Sequence, residues 1–387
     1  MRTQQSTIFC LLFVLAALLL FPVLQSAGAE EATPAATYET ATTSAECMAV
    51  AECTTGRILF GKNAERKRPM ASTTKICTAA TVIDNCADLE KTIVVPDKAV
   101  GVEGSSVYLQ KGEKVKIIDL LYGLMLRSGN DCAEALAISV GGSIENFAQL
   151  MNETARRAGA TDSNFVTPHG LHHDDHYTTA ADLCKITAYA FRSPVFARIV
   201  ATKKHTMPWE GREYPRVLIN KNKILSTYEG GDGVKTGFTK KAGRCLVSSA
   251  TRNGMRVIAV VLNCGPMFED CAALMDKAFA EYEMTEVVDG AKIEREIAVT
   301  GGKSESVVAR GKESFYYPLR KGEINDVRVE IADVPEQVAA PVRTGAEAGN
   351  FSVYLKNQLL FNGKLYTINT VAERDMGDKL KDLIEAW

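Results

Sequence analysis

Arg68-Pro69-Met70-Ala71-Ser72-Thr73-Thr74-Lys75-Ile76-Cys77-Thr78-Ala79-Ala80 is the stretch around which the chain is organised. A serine ahead of an apolar run reads as the opening residue of a helix, where its hydroxyl can satisfy an orphan backbone N–H. The helix is expected to continue to about Ile83. Three residues make nearly one turn, so Lys75 rises beside Ser72 on the same face. A hydroxyl with a nitrogen base in hydrogen-bond reach is the geometry of an activated nucleophile. The positive end of the helix dipole would favour an oxyanion beside the Ser72 N–H. Alone, Ser-x-x-Lys is a cheap pattern that an N-cap followed by a solvated lysine also explains. The rest of the chain decides between the two.

The 387 residues suit two domains better than one. Apolar residues make up 46% and charged residues 24%, enough for a substantial core. The formal net charge of −2 gives no basic surface for nucleic acid. Arg2 is the one charge before Glu30, Ile8 to Leu24 is nearly unbroken apolar sequence, and Ala27-Gly28-Ala29 fits a small-x-small cleavage site. Residues 1–29 therefore read as a secretory signal peptide, with an uncleaved anchor as the alternative. Either way the remainder is exported. Nine cysteines follow Cys10, an odd number that cannot all pair. They lie mostly inside apolar runs without a Cys-x-x-Cys spacing, so buried free thiols are expected rather than zinc or redox sites.

Residues 30–45 are Thr/Ala/Glu-rich without apolar periodicity and read as a mobile lead-in. Cys47 to Cys53 and Arg57 to Phe60 read as short strands. Ile117 to Leu126 is a strongly apolar helix that stops at Arg127-Ser128-Gly129-Asn130, and a second helix runs from Asp131 to about Val140. Phe147 to Ala158 has helical spacing ended by Gly159, and Thr179-Ala180-Ala181-Asp182 resembles a capping box. Cys245 to Ala250 and Arg256 to Asn263 flank Asn253-Gly254, a strong hairpin signal. A closing helix covers Glu269 to Glu283. Short alternating strands follow, with Asn362-Gly363 read as a turn between strands. The organisation expected is a domain over 46–284, a small β-rich domain over 285–370, and an amphipathic C-terminal helix over 371–387.

Two further motifs follow Ser72-x-x-Lys75 in order. Ser128-Gly129-Asn130 sits in a helix break, which can aim side chains into a cleft. Lys235-Thr236-Gly237 leads into apparent sheet, where the glycine lets another backbone lie close. Each has a bland reading as a turn or a bend. Together they describe acyl transfer. A serine attacks a carbonyl, a lysine takes its proton, a second hydroxyl relays a proton to the leaving amine, an amide orients the substrate, and a lysine with a threonine grips a carboxylate.

With these three motifs, and with Thr167-Pro168-His169-Gly170-Leu171 and Ala242-Gly243-Arg244-Cys245-Leu246, the chain resembles the serine-type D-alanyl-D-alanine carboxypeptidases, the low-molecular-mass penicillin-binding proteins. The resemblance runs from about Ala45 to Glu283, and more loosely through the β domain. It implies an α/β (α+β) fold of the β-lactamase/transpeptidase type: an antiparallel sheet flanked by helices, a helical lobe, and the site between them. It implies that Ser72 is the acylated nucleophile, Lys75 its base, and Ser128 a further catalytic group. Asn130, Lys235, Thr236, Gly237 and Phe238 would bind substrate, and the backbone N–H groups of Ser72 and Phe238 would form the oxyanion hole. The implied partners are a peptidoglycan stem peptide ending in D-Ala-D-Ala and β-lactam antibiotics, with no metal and no cofactor, in the bacterial cell envelope. Lys75 must lie well below the usual lysine value of about 10.4 to act as a base, and burial and Lys235 would both push it down.

Three rivals stand beside this reading. Four histidines in 169–176 could hold a catalytic zinc, as in metal-dependent D,D-peptidases. A β-lactamase would need an added glutamate base, and no clear Glu-x-x-x-Asn element is present. A non-catalytic penicillin-binding or cell-wall-binding module would not need all three motifs. At the C-terminus, Met376, Leu380, Leu383, Ile384 and Trp387 form an apolar stripe, but five acids against three bases in 373–387 fit anionic lipid poorly. A membrane surface and packing on the β domain both stay open. Cys77 and Cys132 are read as packing.

Overall fold

A computed structural model describes residues 38–385 and 387; the proposed signal peptide lies outside them. The first sheet is antiparallel and has five strands: β1 (Cys47–Glu52), β2 (Ile58–Lys62), β7 (Gly231–Thr239), β8 (Gly243–Arg252) and β9 (Met255–Leu262), in the order β2-β1-β9-β8-β7. Short pairs β3 (Thr92–Val94) with β4 (Lys114–Lys116), and β5 (Lys204–Met207) with β6 (Arg216–Ile219), lie outside it. The central strands alternate between two cores. Cys47, Ala49, Ala51, Val247, Ile258 and Val260 face the helical lobe, whereas Met48, Val50, Leu246, Val257, Ala259 and Val261 face the helix Met267–Glu281. Both faces being covered explains why these strands read as continuous apolar runs. At the β8–β9 hairpin, Asn253 (φ +48°) and Gly254 (φ +78°) take the two left-handed positions of a type I′ turn.

The helical lobe is built from α1 (Lys75–Asn85), α2 (Ile117–Tyr122), α3 (Asn130–Gly141), α4 (Ile144–Arg157), α5 (Ala180–Phe191) and α6 (Pro194–Ala201). Ser143, Thr179 and Ser193 each cap a helix by accepting from a backbone N–H three residues on. The capping box at Thr179 is only half formed, because Asp182 turns to Asp162 N, Ser163 and Lys185. The expected helix to Leu126 ends at Tyr122 and passes into a wide π-helical turn over Gly123–Arg127. Gly123 is required there, since a Cβ would lie 2.6 Å from Cys132 Sγ. Residues 38–45 are not a loose lead-in. Tyr38 packs on Gly61 and donates to Glu65, and Thr43 and Ser44 donate to Asp270. All nine described cysteines are free, and eight of them are buried.

After Glu281 come β10 (Tyr282–Val288), β11 (Glu294–Thr300), β12 (Ser306–Gly311), β13 (Phe315–Arg320), β14 (Val327–Ala332), β15 (Gln337–Ala339), β16 (Glu347–Leu355) and β17 (Gln358–Thr367). Six of them form a second sheet, β14-β16-β17-β12-β11-β15, over a core of Phe351, Val353, Leu365, Ile297 and Val307. Asn362-Gly363 is not a turn. It lies inside β17, opposite Ser352 and Phe351, and the Phe351 ring fills the space a Cβ at Gly363 would need. The turn instead falls at Lys356-Asn357, with Lys356 at φ +55°. Arg57 joins the two parts. It stacks on Tyr282 and Tyr317 and is paired with Glu323. The C-terminal helix Met376–Glu385 leaves Met376, Leu380 and Ile384 exposed, and Trp387 beyond it is exposed as well.

One buried carboxylate holds the loop that walls the cleft. Asp131 accepts from the N–H groups of Val107 (3.0 Å) and Leu109 (3.1 Å) and from Ser106 Oγ (2.5 Å). Asp131→Ala orphans these donors, at about 1–3 kcal/mol each before the loop relaxes. Urea unfolding should show a loss of about 2–4 kcal/mol with faster proteolysis at 104–109. A loss below about 0.5 kcal/mol, the level of an ordinary surface change, would show that the loop does not depend on it.

Candidate active site

Ser72 does not cap a helix. It is the second residue of a 3₁₀ turn, Ala71–Thr74, that leads into α1, and no side chain caps either element. Ala71 sits at φ +50°, a strained backbone for alanine. Gly170 packs against Ala71 so closely that a Cβ there would come within 2.0 Å of Ala71 O. With no cap to make, the Ser72 hydroxyl faces Lys75.

Lys75 is fully buried, and its Nζ meets three oxygens: Ser72 Oγ at 3.0 Å, Asn130 Oδ1 at 2.7 Å and the His169 carbonyl at 2.7 Å. Asn130 Nδ2 donates to Glu103 O, which fixes its Oδ1 toward the lysine. Burial, and then the charge of Lys235, hold Lys75 well below the usual lysine range. A neutral amine has two N–H groups and one lone pair. Asn130 Oδ1 and His169 O can only accept, so they take both hydrogens. The lone pair is left for Ser72, whose O–H therefore donates to Nζ.

The stretch 164–178 braces this arrangement from behind. His176 Nδ1 accepts from the N–H groups of Val166 and Thr167, so its Nε2 carries the proton and donates to Thr74 Oγ1 at 2.9 Å. Thr74 in turn donates to Ala71 O, and Thr78 donates to Pro168 O. Burial lowers His169 to about 4 and His176 to about 3. His172 and His173 lie on the exposed side and pair with Asp174 and Asp175. The four imidazoles therefore do not converge, and no metal-binding cluster is found among the described residues.

A cleft of about 480 Å³ opens over Ser72, lined also by Ser128, Thr236, Gly237 and Phe238. Ser128 follows the π-helical turn in a left-handed conformation (φ +66°), which aims a residue between two helices into the cleft. Gly237 brings β7 against the 3₁₀ turn: a Cβ there would sit 3.0 Å from Ser72 N. Lys235 is buried, donates to Thr236 O, and is lowered to about 7 by burial and then by Lys221. The eight residues singled out in the sequence thus gather around one cavity, with Lys75, Asn130 and Lys235 beneath its surface and Phe238 exposed at its rim.

Sequence reasoning missed Lys221, Ser105, Met267 and Phe268, and gave Arg244 no role, yet all line the cleft. Lys221 reaches Ser105 Oγ at 3.3 Å and sits in Asn220-Lys221-Asn222, which carries no distinctive signal. Arg244 enters because β8 pairs it with Phe238, a register that only the sheet reveals. Among the lining residues are two cations and no acid, so the cleft favours an anionic ligand.

Comparison with known proteins follows the same outline. Residues 32–265 match the D-alanyl-D-alanine carboxypeptidase family, and residues 282–373 match the C-terminal domain of penicillin-binding protein 5. D-alanyl-D-alanine carboxypeptidase DacF of Bacillus subtilis (strain 168) is 28% identical over 87% of this chain and 90% of its own length. DacB2 of Mycobacterium tuberculosis is 34% identical over 61% of this chain and 82% of its own length. The crystal structure of penicillin-binding protein 5 from Haemophilus influenzae, 26% identical, superposes with a TM-score of 0.70, covering 87% of this chain and all of that one. The chain belongs to the D-alanyl-D-alanine carboxypeptidases of peptidase family S11, the low-molecular-mass penicillin-binding proteins.

Proposed function

We propose that the protein removes the terminal D-alanine from peptidoglycan stem peptides through an acyl-enzyme on Ser72. The observation that carries this is the lone pair of Lys75, left facing the Ser72 hydroxyl once Asn130 and His169 have taken its two hydrogens. Lys75 withdraws the Ser72 proton as Oγ attacks the carbonyl of the penultimate residue. The N–H groups of Ser72 and Phe238 receive the oxyanion, because β7 runs against the Ser72 N–H at Gly237. Ser128 passes the proton to the departing amine. Lys235 and Thr236, with Arg244 and Lys221 at the rim, hold the C-terminal carboxylate. Water then releases the shortened peptide. A β-lactam follows the first half of this path and stays bound, because ring opening leaves its departing amine tethered to the acyl group, where it blocks the approach of water. The Lys75 arrangement would serve no purpose in a non-catalytic module.

We further propose that residues 1–29 direct export to the bacterial envelope and that the exposed C-terminal stripe rests on the membrane surface. No described helix is long and apolar enough to cross a membrane.

Ser72→Ala should abolish the penicillin adduct in intact-protein mass spectra and lower D-alanine release by at least about 10³-fold. Release at the wild-type rate would end the mechanism proposed here. The pH profile has two signs. Activity rises as Lys75 loses its proton, because only the free amine is a base. It falls as Lys235 loses its charge, because only the ammonium holds a carboxylate. With Lys235 at about 7, the plot of kcat/KM should be bell-shaped with an alkaline limb near that value. A C-terminally amidated substrate should keep the acid limb and lose the alkaline one; an unchanged alkaline limb would assign it to another group. Deletion of residues 376–387 should move the protein out of the membrane fraction while peptide hydrolysis stays at the full-length rate. Retention in membranes would place the anchor elsewhere.

A further inference from the structure

We propose that the turn joining β5 and β6 docks the sugar to which the stem peptide is attached, a saccharide of N-acetylated amino sugars. The proposal rests on the peptidoglycan reading of the cleft and adds a second contact on the same substrate. Residues 208–215, Pro208-Trp209-Glu210-Gly211-Arg212-Glu213-Tyr214-Pro215, edge a groove of about 610 Å³. Trp209 and Tyr214 meet edge to face, with ring centroids 5.8 Å apart at 89°. This leaves the rings in two planes, with the Tyr214 side chain 59% exposed.

The indole rests on a fixed support. The Arg216 guanidinium lies 4.4 Å from its centroid and is itself buried and bidentate on Glu113. The exposed Tyr214 ring, next to an indole whose centroid also lies 5.6 Å from the Arg212 guanidinium, and flanked by Glu210 and Glu213, is a combination that sugars take. Their C–H faces stack on rings while hydroxyl and amide groups reach charged neighbours. The charged residues interrupt the apolar surface too often for a dry protein contact.

Arg216 ties the groove's floor to the segment that follows the cleft wall. Arg216 also donates to Val107 O (2.8 Å) and Tyr108 O (2.9 Å). Tyr108 comes three residues after Ser105 in the cleft wall, a reach of at most about 10 Å. Its ring is 74% exposed, and its backbone is held at φ +63°. From Ser72 through Lys75, Asn130 and Ser105, hydrogen bonds of 2.7–3.0 Å carry the path to this wall. An extended tetrapeptide behind the scissile bond spans about 14 Å, and its lactyl link adds to that. A stem peptide that follows this wall away from Ser72 has the length to bring its sugar to the region of Tyr108 and the β5–β6 turn.

Trp209 and Trp387 are the two tryptophans of the chain, so Trp387→Phe makes Trp209 the single indole reporter. A disaccharide tetrapeptide, which lacks the scissile D-alanine, should then change the fluorescence saturably, and the free tetrapeptide should not. In kinetics, Tyr214→Ala and Trp209→Ala should each lower kcat/KM on disaccharide pentapeptide about tenfold. Both should leave free pentapeptide hydrolysis and penicillin acylation within about twofold of wild type. Equal losses on both substrates would assign the rings to folding alone, and no loss on either would remove them from recognition. Sedimentation showing a dimer that Tyr214→Ala dissolves would give the face to a second copy and also overturn the proposal. If wild-type protein neither hydrolyses pentapeptide nor takes up penicillin, the cleft reading fails, whereas a fluorescence response to the disaccharide probe would survive that failure.

Discussion

A buried lysine nitrogen with two acceptors and one donor is the constraint on which the rest of the structure depends. The stem and amine of Lys75 are both inside the protein, and none of the three oxygens in contact with Nζ belongs to a charged group. A protonated amine there is costly, and the protein meets this by favouring the neutral form. In the mechanism proposed above, that same choice makes the residue a base. Stability and chemistry are therefore satisfied by one protonation state.

The three oxygens around Nζ come from three separate parts of the chain. Ser72 is local, but Asn130 opens α3 and His169 belongs to the brace behind α1. Each needs its own support. Asn130 is oriented by Glu103 O, and the 104–109 loop is in turn held by Asp131. The His169 carbonyl is set by Gly170, which only a residue without a side chain could bring so near Ala71. The strained Ala71 lies where Gly170 packs, and the buried His176–Thr74 bond joins the same two segments. A change at any of these positions reaches the nucleophile without touching substrate.

How far the sequence carried the reading depends on the range of the interaction. Helix caps, the Asn253-Gly254 turn and the β8–β9 hairpin rest on neighbours in sequence, and all could be read from it. The mistakes have the opposite character. Ser72 looked like a cap because the local pattern favours one, but the segment is a 3₁₀ turn packed against Gly170, a contact from far along the sequence that local pattern does not encode. Asn362-Gly363 looked like a hairpin because its dipeptide usually is one, yet the Phe351 ring occupies the space over Gly363 and keeps it in mid-strand. In the site, the motif residues were visible because their chemistry is rare in combination. Lys221 and Arg244 were not, since a rim cation has no local signature and reaches the cleft only through a loop and a strand register.

Charge separates the two lysines that share the cleft. Both are buried, and both are lowered first by burial, but their surroundings ask for different states. Lys75 is enclosed by acceptors that suit a free amine. Lys235 Nζ donates to the carbonyl of its neighbour Thr236 and lies beside an open cavity lined by Lys221 and Arg244. An arriving carboxylate supplies the counter-charge that Lys235 lacks and favours its ammonium form. That ammonium in turn disfavours a second proton on Lys75, because the two repel. In the proposed mechanism, binding the correct end of a peptide therefore strengthens the base at the moment it is needed, and a ligand without a carboxylate forgoes that coupling.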